Sequence, residues 1–256
     1  MNIIILGPQG SGKGTQARLL SEKFGLFYLE SGDFLREIAK KDKEVNEIIN
    51  VQGKLLPDEQ TFSLIKNHLE EKAPLATNLL FDGYPRSVKQ YQLLKDWLIQ
   101  KSQKIDIVFL LEISEEESIR RLSARRICEK CGKVWNLITN PPPSNEAPLA
   151  DASGIFSARF VGAKSAEAEN TSHSSSGLRP RFSAKADKCS CGGNLIQRPD
   201  DTPELIKKRL DQYRERTEPL VELFKDEGIL VKVDGERPIQ EIFQDLLKYI
   251  EDFHAR

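Results

Sequence analysis

Gly7-Pro8-Gln9-Gly10-Ser11-Gly12-Lys13-Gly14-Thr15 decides how the rest of this chain is read. It follows the apolar run Ile3-Ile4-Ile5-Leu6 and precedes an amphipathic stretch, Gln16 to Phe24, that stops at Gly25. A buried strand, a glycine-rich loop and a helix start together make a phosphate cradle. Small residues let the backbone N–H groups of Gly10, Ser11, Gly12, Lys13, Gly14 and Thr15 approach phosphate oxygens, and Lys13 adds a point charge for the β- and γ-phosphates. The spacing is that of G-x-x-x-x-G-K, with Gly14 where the general motif carries Ser or Thr. Whether Thr15 supplies that hydroxyl to a magnesium ion one residue late stays open on these residues. The stretch predicts nucleotide binding.

Working outward, apolar runs alternate with helical periods. Leu26 to Leu29, Leu79 to Asp82, Ile107 to Leu111 and Ile229 to Val233 read as further strands. Helical stretches are expected from Ser31, around Val45, Ile48 and Ile49 up to Gly53, from Pro57-Asp58 to about Lys72, and up to about Lys101. Ser114-Glu115-Glu116-Glu117 has the form of a capping box, and the helix after it is expected to carry Arg121 and Arg125 on one face. Thr202-Pro203 and Pro238 open the last helices. Strands alternating with helices predict an α/β fold, a parallel five-stranded sheet flanked by helices of the P-loop NTPase type.

Apolar residues make up 39% and charged residues 30% of the 256, and the net charge is −1. That balance predicts a soluble globular protein with no nucleic-acid partner. No apolar run approaches the ~20 residues that span a bilayer, so no membrane partner is expected. The first strand starts too early to leave room for a targeting segment, and a cytoplasmic location is expected. In that compartment Cys128, Cys131, Cys189 and Cys191 read as metal ligands rather than disulfides, with reduced, unmetallated thiols as the alternative. Cys128-x-x-Cys131 is a usual knuckle, whereas Cys189-Ser190-Cys191 is one residue tighter. Residues 144–187 between the pairs, rich in Ala and Ser, read as a loosely packed insertion or a docking segment. His68, His173 and His254 read as surface residues and Trp97 as core.

Several separate stretches together resemble the adenylate kinase family, in its long-lid form with a zinc knuckle. They are Gly7 to Thr15, Ser31-Gly32-Asp33-Phe34-Leu35-Arg36, Phe81-Asp82-Gly83-Tyr84-Pro85-Arg86 with Gln90, Arg121-Leu122-Ser123-Ala124-Arg125-Arg126, and Arg198-Pro199-Asp200-Asp201 with Arg209. The resemblance covers nearly the whole chain outside 144–187. It implies a core of 1–29, 57–121 and 200–256, an AMP-binding lobe at 30–56 and a lid at 122–199. The implied reaction is reversible transfer of the ATP γ-phosphoryl group to AMP with Mg²⁺, giving two ADP, in a monomer that carries a structural Zn²⁺.

The resemblance implies roles residue by residue. Arg36 and Arg86 would hold the AMP phosphate, and Arg121, Arg125, Arg198 and Arg209 would surround the transferred group and its flanking phosphates. Ser31, Lys54, Leu55, Leu56, Gly83, Tyr84, Pro85 and Gln90 would line the AMP site, Gln90 reading the adenine edge. Val134, Trp135 and Arg237 fall where the family meets the ATP base, although lid packing for Trp135 and a solvated loop for Arg237 read equally well. Asp82 would order waters on magnesium, or cap a turn. Asp200 and Asp201 would order the arginines. The physical demand agrees: two polyphosphates brought together need fixed cations, and arginine stays charged and grips phosphate oxygens with a planar fork.

Overall fold

A computed structural model describes residues 1–52, 54–143, 188–198 and 201–254. Its compact units are residues Met1–Arg125 with Arg198–Arg256, and residues Arg126–Gln197. In the first unit, β1 (Ile3–Leu6), β2 (Phe27–Glu30), β3 (Leu79–Asp82), β4 (Ile107–Glu112) and β8 (Leu230–Asp234) form one sheet in the order β2-β3-β1-β4-β8. Every pairing is parallel, with Ile3 opposite both Leu80 and Ile107, Phe27 opposite Leu79, and Val108 opposite Leu230. The parallel five-stranded sheet expected from the sequence is therefore present.

The alternation of side chains along each strand explains why the central strands are apolar up to their last residues. Ile4, Leu6, Phe81, Val108 and Leu110 face a layer that includes Ile65 and Leu69 of α4 (Asp58–Lys72), Leu94 and Trp97 of α5 (Val88–Gln100) and Phe224 of α8 (Pro219–Asp226). Ile3, Ile5, Leu80, Phe109 and Leu111 face the opposite layer, with Ala17 and Leu20 of α1 (Lys13–Phe24) and Leu246 and Ile250 of α9 (Ile239–His254). Burial on both faces favours apolar residues up to the carboxyl ends of the strands, where Asp82 closes β3, and each fully buried large side chain contributes ~1.5–3 kcal/mol. Asn2, just before β1, is buried at the amino ends of the central strands. It donates to Ala76 O and Lys104 O at 2.9 Å and accepts from Leu79 N at 3.0 Å, stapling three strand starts together.

The order places β1 between β3 and β4, so the chain turns one way after β1 and the other way after β3. Ligands of open α/β sheets bind at such a switch, outside the carboxyl ends of the strands. The loops after β1 and β3 leave the sheet there.

Beside β2, α2 (Ser31–Ala39) and α3 (Lys43–Asn46) pack around Ala39, Val45 and Leu56, with Ile48 and Ile49 against them. The expected second helix is only partly α-helical, because Glu47–Val51 widens into a π-type turn. Gly53 lies outside the described residues.

Two further expectations change at α6 (Glu115–Ser123). Ser114 caps it, accepting from Glu117 N at 3.3 Å, but Glu117 does not close the box. Its carboxylate takes Arg120 and Arg121, while Ser114 N donates to Glu236 at 2.8 Å. Arg121 and Arg125 do not share a helix face, since α6 ends at Ser123 and Arg125 opens β5 (Arg125–Cys128). His68 is half-buried rather than on the surface, its ring 4.7 Å from Phe34 and 5.9 Å from Phe27. His173 and the side chain of His254 lie outside the described residues.

The second unit holds most of a small sheet, β6 (Val134–Asn136), β5 and β7 (Leu195–Ile196), in the order β6-β5-β7. The expected insertion at 144–187, like Pro199 and Asp200, is outside the described residues. Among the described residues no helix is long and apolar enough to cross a membrane.

Candidate active site

The cradle is built by a helix that begins without a side-chain cap. Gly12 takes the cap position of α1 at φ 92°, a left-handed conformation suited to glycine, and no side chain bonds to the first N–H groups. Ser87, Ser114 and Thr202 do cap α5, α6 and α7 (Pro203–Arg216). The open donors and the helix dipole at α1 thus favour an anion. Lys13 Nζ donates to Gly7 O and Pro8 O, both at 2.8 Å, which folds the side chain back along the loop. Gly14 passes close to the sheet, where a Cβ would stand 3.2 Å from Asp82 Oδ2. The side chain of Thr15 is exposed, and that of Ser11 is buried with no partner for Oγ.

Cations converge on this loop. Burial pushes Lys13 down to about 8, Asp82 pulls the other way, and the guanidiniums of Arg86, Arg209 and Arg125 add to the lowering. Arg86 is lowered as well, by burial and then by repulsion from Arg209. Coulomb repulsion weakens with distance, so charges that act on Lys13 and Arg86 in this way bring the strand-end, α7 and β5 cations into one region.

Each cation is aimed by a partner. Arg86 Nε donates to Gly83 O at 2.7 Å. Arg121 is buried: its Nε donates to Glu117 at 2.5 Å and its Nη1 to Gly235 O at 2.7 Å. Arg125 grips Asp201 with two nitrogens, Nε at 2.8 Å, and Arg209 Nη1 reaches the same carboxylate at 3.4 Å. The Asp201 side chain is 0% exposed, so both arginines are held from inside the fold. Arg36 Nη2 donates to Asp33 and lies 3.9 Å from Glu30. Arg198 acts electrostatically on Asp33.

Acids face these cations: Asp82, expected here from the sequence, and Glu30, which sequence reasoning did not single out. Tyr28 donates to Asp82 Oδ2 at 3.1 Å and lies 3.4 Å from Glu30 Oε2. Burial holds Asp82 above the usual carboxylate range, against the pull of Lys13. Burial, and then a hydrogen bond with Asp33, raise Glu30 to about 7. The available signal was the alternation of Tyr28 and Glu30 on β2, which puts both on one side of the strand.

Next to the cations, Ser31, Leu35, Leu55, Leu56, Thr61, Gly83, Tyr84, Arg86 and Gln90 line an open cleft of about 290 Å³. Ser31 Oγ donates to Gly83 O at 2.6 Å, tying α2 to the loop after β3. Pro85 is buried and follows a cis peptide bond. The side chain of Lys54 is exposed. Arg237 pairs with Asp245 and lies 3.7 Å from Asp234.

In the second unit the four cysteines meet. Their sulfurs all lie within 4.8 Å of one another, with Cys128–Cys191 at 3.4 Å, Cys131–Cys189 at 3.6 Å and Cys131–Cys191 at 3.3 Å. The tight Cys189-x-Cys191 pair therefore does not keep its sulfurs out of the cluster. Gly193 makes room for it, since a Cβ there would stand 2.6 Å from Cys128 Sγ. Trp135 is buried and donates from Nε1 to Cys189 Sγ at 3.3 Å, with Lys133 Nζ 4.3 Å from its ring centre. Of the two readings open for Trp135, packing within the knuckle is the one this contact favours. Val134 precedes it, half-buried on β6.

The profile of a family described as adenylate kinase matches residues 5–229. The chain is 36% identical over 263 residues to a protein named adenylate kinase from Pyrococcus horikoshii, with 100% of each chain covered. It is 34% identical over 257 residues to another of that name from Methanothrix thermoacetophila, covering 99% of this chain and 100% of the relative. A third, from Clostridium beijerinckii, is 31% identical over 255 residues, covering 98% of each.

Proposed function

This chain belongs to the adenylate kinase family and is a phosphotransferase that interconverts ATP plus AMP with two ADP; we propose that the transfer takes place among the cations gathered around the loop from Gly7 to Thr15. The observation that carries this assignment is the gathering of cations about the loop: Lys13 folded along it, Arg86 held on Gly83 after β3, and Arg125 and Arg209 on the one Asp201 carboxylate, the three arginines all acting on Lys13. A protein gathers like charges at one point when a polyanion is to occupy it.

The chemistry follows from the charges. An AMP phosphate oxygen attacks the γ-phosphorus in line, the bond from that phosphorus to the β,γ-bridging oxygen breaks, and both products leave as ADP. Phosphoryl transfer of this kind depends on positioning and charge stabilisation, so no general base is required. Arg36 and Arg86 hold the AMP phosphate. The open N–H groups of α1 and Lys13 hold the β- and γ-phosphates of ATP. Lys13 at about 8 is already protonated at neutral pH, and an arriving polyphosphate strengthens that state. Arg121, Arg125, Arg198 and Arg209 balance the charge that spreads over the transferred group. Closure of the AMP-binding lobe and of the lid over the substrates would exclude water that would otherwise accept the phosphoryl group.

Magnesium bound with ATP would neutralise phosphate oxygens, and the residues present fit it. Asp82 is a buried carboxylate beside Lys13, oriented by Tyr28, and would hold the ion's waters. The cysteine cluster fits a structural zinc ion: sulfur separations of 3.3–3.6 Å are near the ~3.8 Å edge of a tetrahedron with Zn–S of ~2.3 Å. The Trp135 N–H supports one ligand as an outer hydrogen-bond donor. Such an ion stiffens its unit and takes no part in transfer.

The test is ADP formation from ATP with AMP, CMP, UMP or GMP, run beside a metal count on the purified protein. AMP should be the preferred acceptor and one zinc should be found per chain. Preference for a pyrimidine monophosphate would overturn the AMP assignment, and ATP binding without any ADP formation would overturn the site assignment.

A further inference from the structure

Gln90 is 4% exposed and lines the cleft, yet both ends of its amide already have a partner inside the protein. Its Oε1 accepts from Arg86 N at 2.8 Å, and its Nε2 donates to Asp58 Oδ1 at 2.9 Å. Asp58 opens α4 and is held by two more donors. Arg216 Nη2 reaches Oδ1 at 2.8 Å and Ser87 Oγ reaches Oδ2 at 2.9 Å. Ser87 in turn caps α5 and accepts from Gln90 N at 3.1 Å. The loop after β3, α4, α5 and α7 therefore meet around one carboxylate behind the cleft.

These partners differ in kind. A carboxylate among three donors only accepts, and a backbone N–H only donates. A flipped amide would set Gln90 Oε1 against the Asp58 carboxylate and Nε2 against the Arg86 N–H, two like-with-like contacts in a buried place. The orientation is thus decided by chemistry. An amide oxygen has two acceptor sites and an amide nitrogen has two hydrogens. Each spends one inside the protein and keeps one, so the cleft receives one acceptor and one donor in a fixed order.

That order matters for purines. At carbon 6 adenine carries an amino group, a donor, and guanine carries a carbonyl, an acceptor. The two bases have nearly the same size, so shape separates them poorly. An amide free to flip could present its oxygen to one and its nitrogen to the other. We propose that Asp58 is a specificity-determining positioning residue: by holding the Gln90 amide in one orientation, it lets the site accept an adenine monophosphate and refuse a guanine one. The proposal rests on Gln90 facing the acceptor base, as the family resemblance implies.

The experiment compares kcat/KM for AMP and for GMP, with ATP as donor, in the wild type, Asp58→Asn, Asp58→Ser and Gln90→Ala. With Asn at 58 either amide orientation finds a partner on that side and only the Arg86 N–H still selects, so the AMP-to-GMP ratio should fall about tenfold. The serine variant replaces the carboxylate by a hydroxyl that also both donates and accepts, and carries the same expectation should the asparagine variant not fold. Gln90→Ala should erase most of the preference. A loss of general stability alone would lower both substrates together and leave the ratio unmoved. If the Asp58 variants keep the wild-type ratio while Gln90→Ala loses it, the lock is overturned and Gln90 keeps its role. If Gln90→Ala also keeps the ratio, the assignment of the base site itself fails.

Discussion

Asp201→Asn removes the carboxylate between two cations of the transfer site. In the native protein the Asp201 side chain is 0% exposed, while Arg125 and Arg209 are 16% and 25% exposed. Removing one partner of a buried ion pair typically costs ~3–5 kcal/mol. Asparagine keeps the shape and one acceptor, so the lower figure applies. For a chain of this size ~3 kcal/mol corresponds to roughly 6–12 °C in Tm. Thermal unfolding followed by circular dichroism should show that loss in the free protein. Saturating ADP should narrow the gap, because its phosphates supply the counter-charge that the variant lacks. In the coupled ADP assay, kcat should fall about a hundredfold, the usual consequence of losing the aim of a transition-state cation. A Tm within about 1 °C of wild type, combined with unchanged kcat, would refute the claim that Asp201 holds these arginines.

Other consequences are as direct. Lys13→Met should lower kcat by about 10²–10³ with the circular dichroism spectrum unchanged, and near-normal turnover would remove Lys13 from the site. Glu30 is raised from 4.5 to about 7, first by burial and then by its bond with Asp33. The folded state therefore binds this proton more tightly than the unfolded chain. The stabilisation is complete below about pH 4.5 and is lost as pH rises through 7. The Tm difference between wild type and Glu30→Gln should shift against the wild type over that window, whereas parallel curves would contradict the assignment. Stripping zinc with a chelator should lower Tm by several degrees while kcat measured well below the transition stays within about twofold. A protein that holds no metal as purified, and whose Tm a chelator does not move, would rule out the structural role.

The parallel sheet was readable because its information is local. Ile3-Ile4-Ile5-Leu6 followed by Gly7 to Thr15 specifies strand, turn and helix within a few residues, and the runs at Leu79 and Ile107 repeat the two-sided burial. The cations were also readable as residue types at set spacings. Their partners were not, because those contacts join distant parts of the chain: Arg125 with Asp201, Tyr28 with Asp82, Gln90 with Asp58 and Arg216. Local patterns misled where tertiary contacts outcompeted them. Glu117 fits a capping box in sequence, but two arginines claim its carboxylate and Glu236 takes over the cap's backbone N–H. Arg121 and Arg125 fit one helical face, but Ala124 already closes α6 and Arg125 starts a strand. The knuckle's second pair is one residue tighter than the first, yet Gly193 lets the backbone approach close enough to Cys128 for the four sulfurs to meet.

The measurement closest to the core of this assignment is ADP production from ATP and AMP by the wild type and by Arg86→Ala, with ATP binding recorded in parallel. Arg86 stands among Lys13, Arg209 and Asp82 at the end of β3. The expected result is rapid ADP formation by the wild type, a loss of about 10²–10³ in kcat for the variant, and ATP affinity within a few-fold of wild type. Equal turnover by the two proteins would contradict a transfer site built from these converging cations.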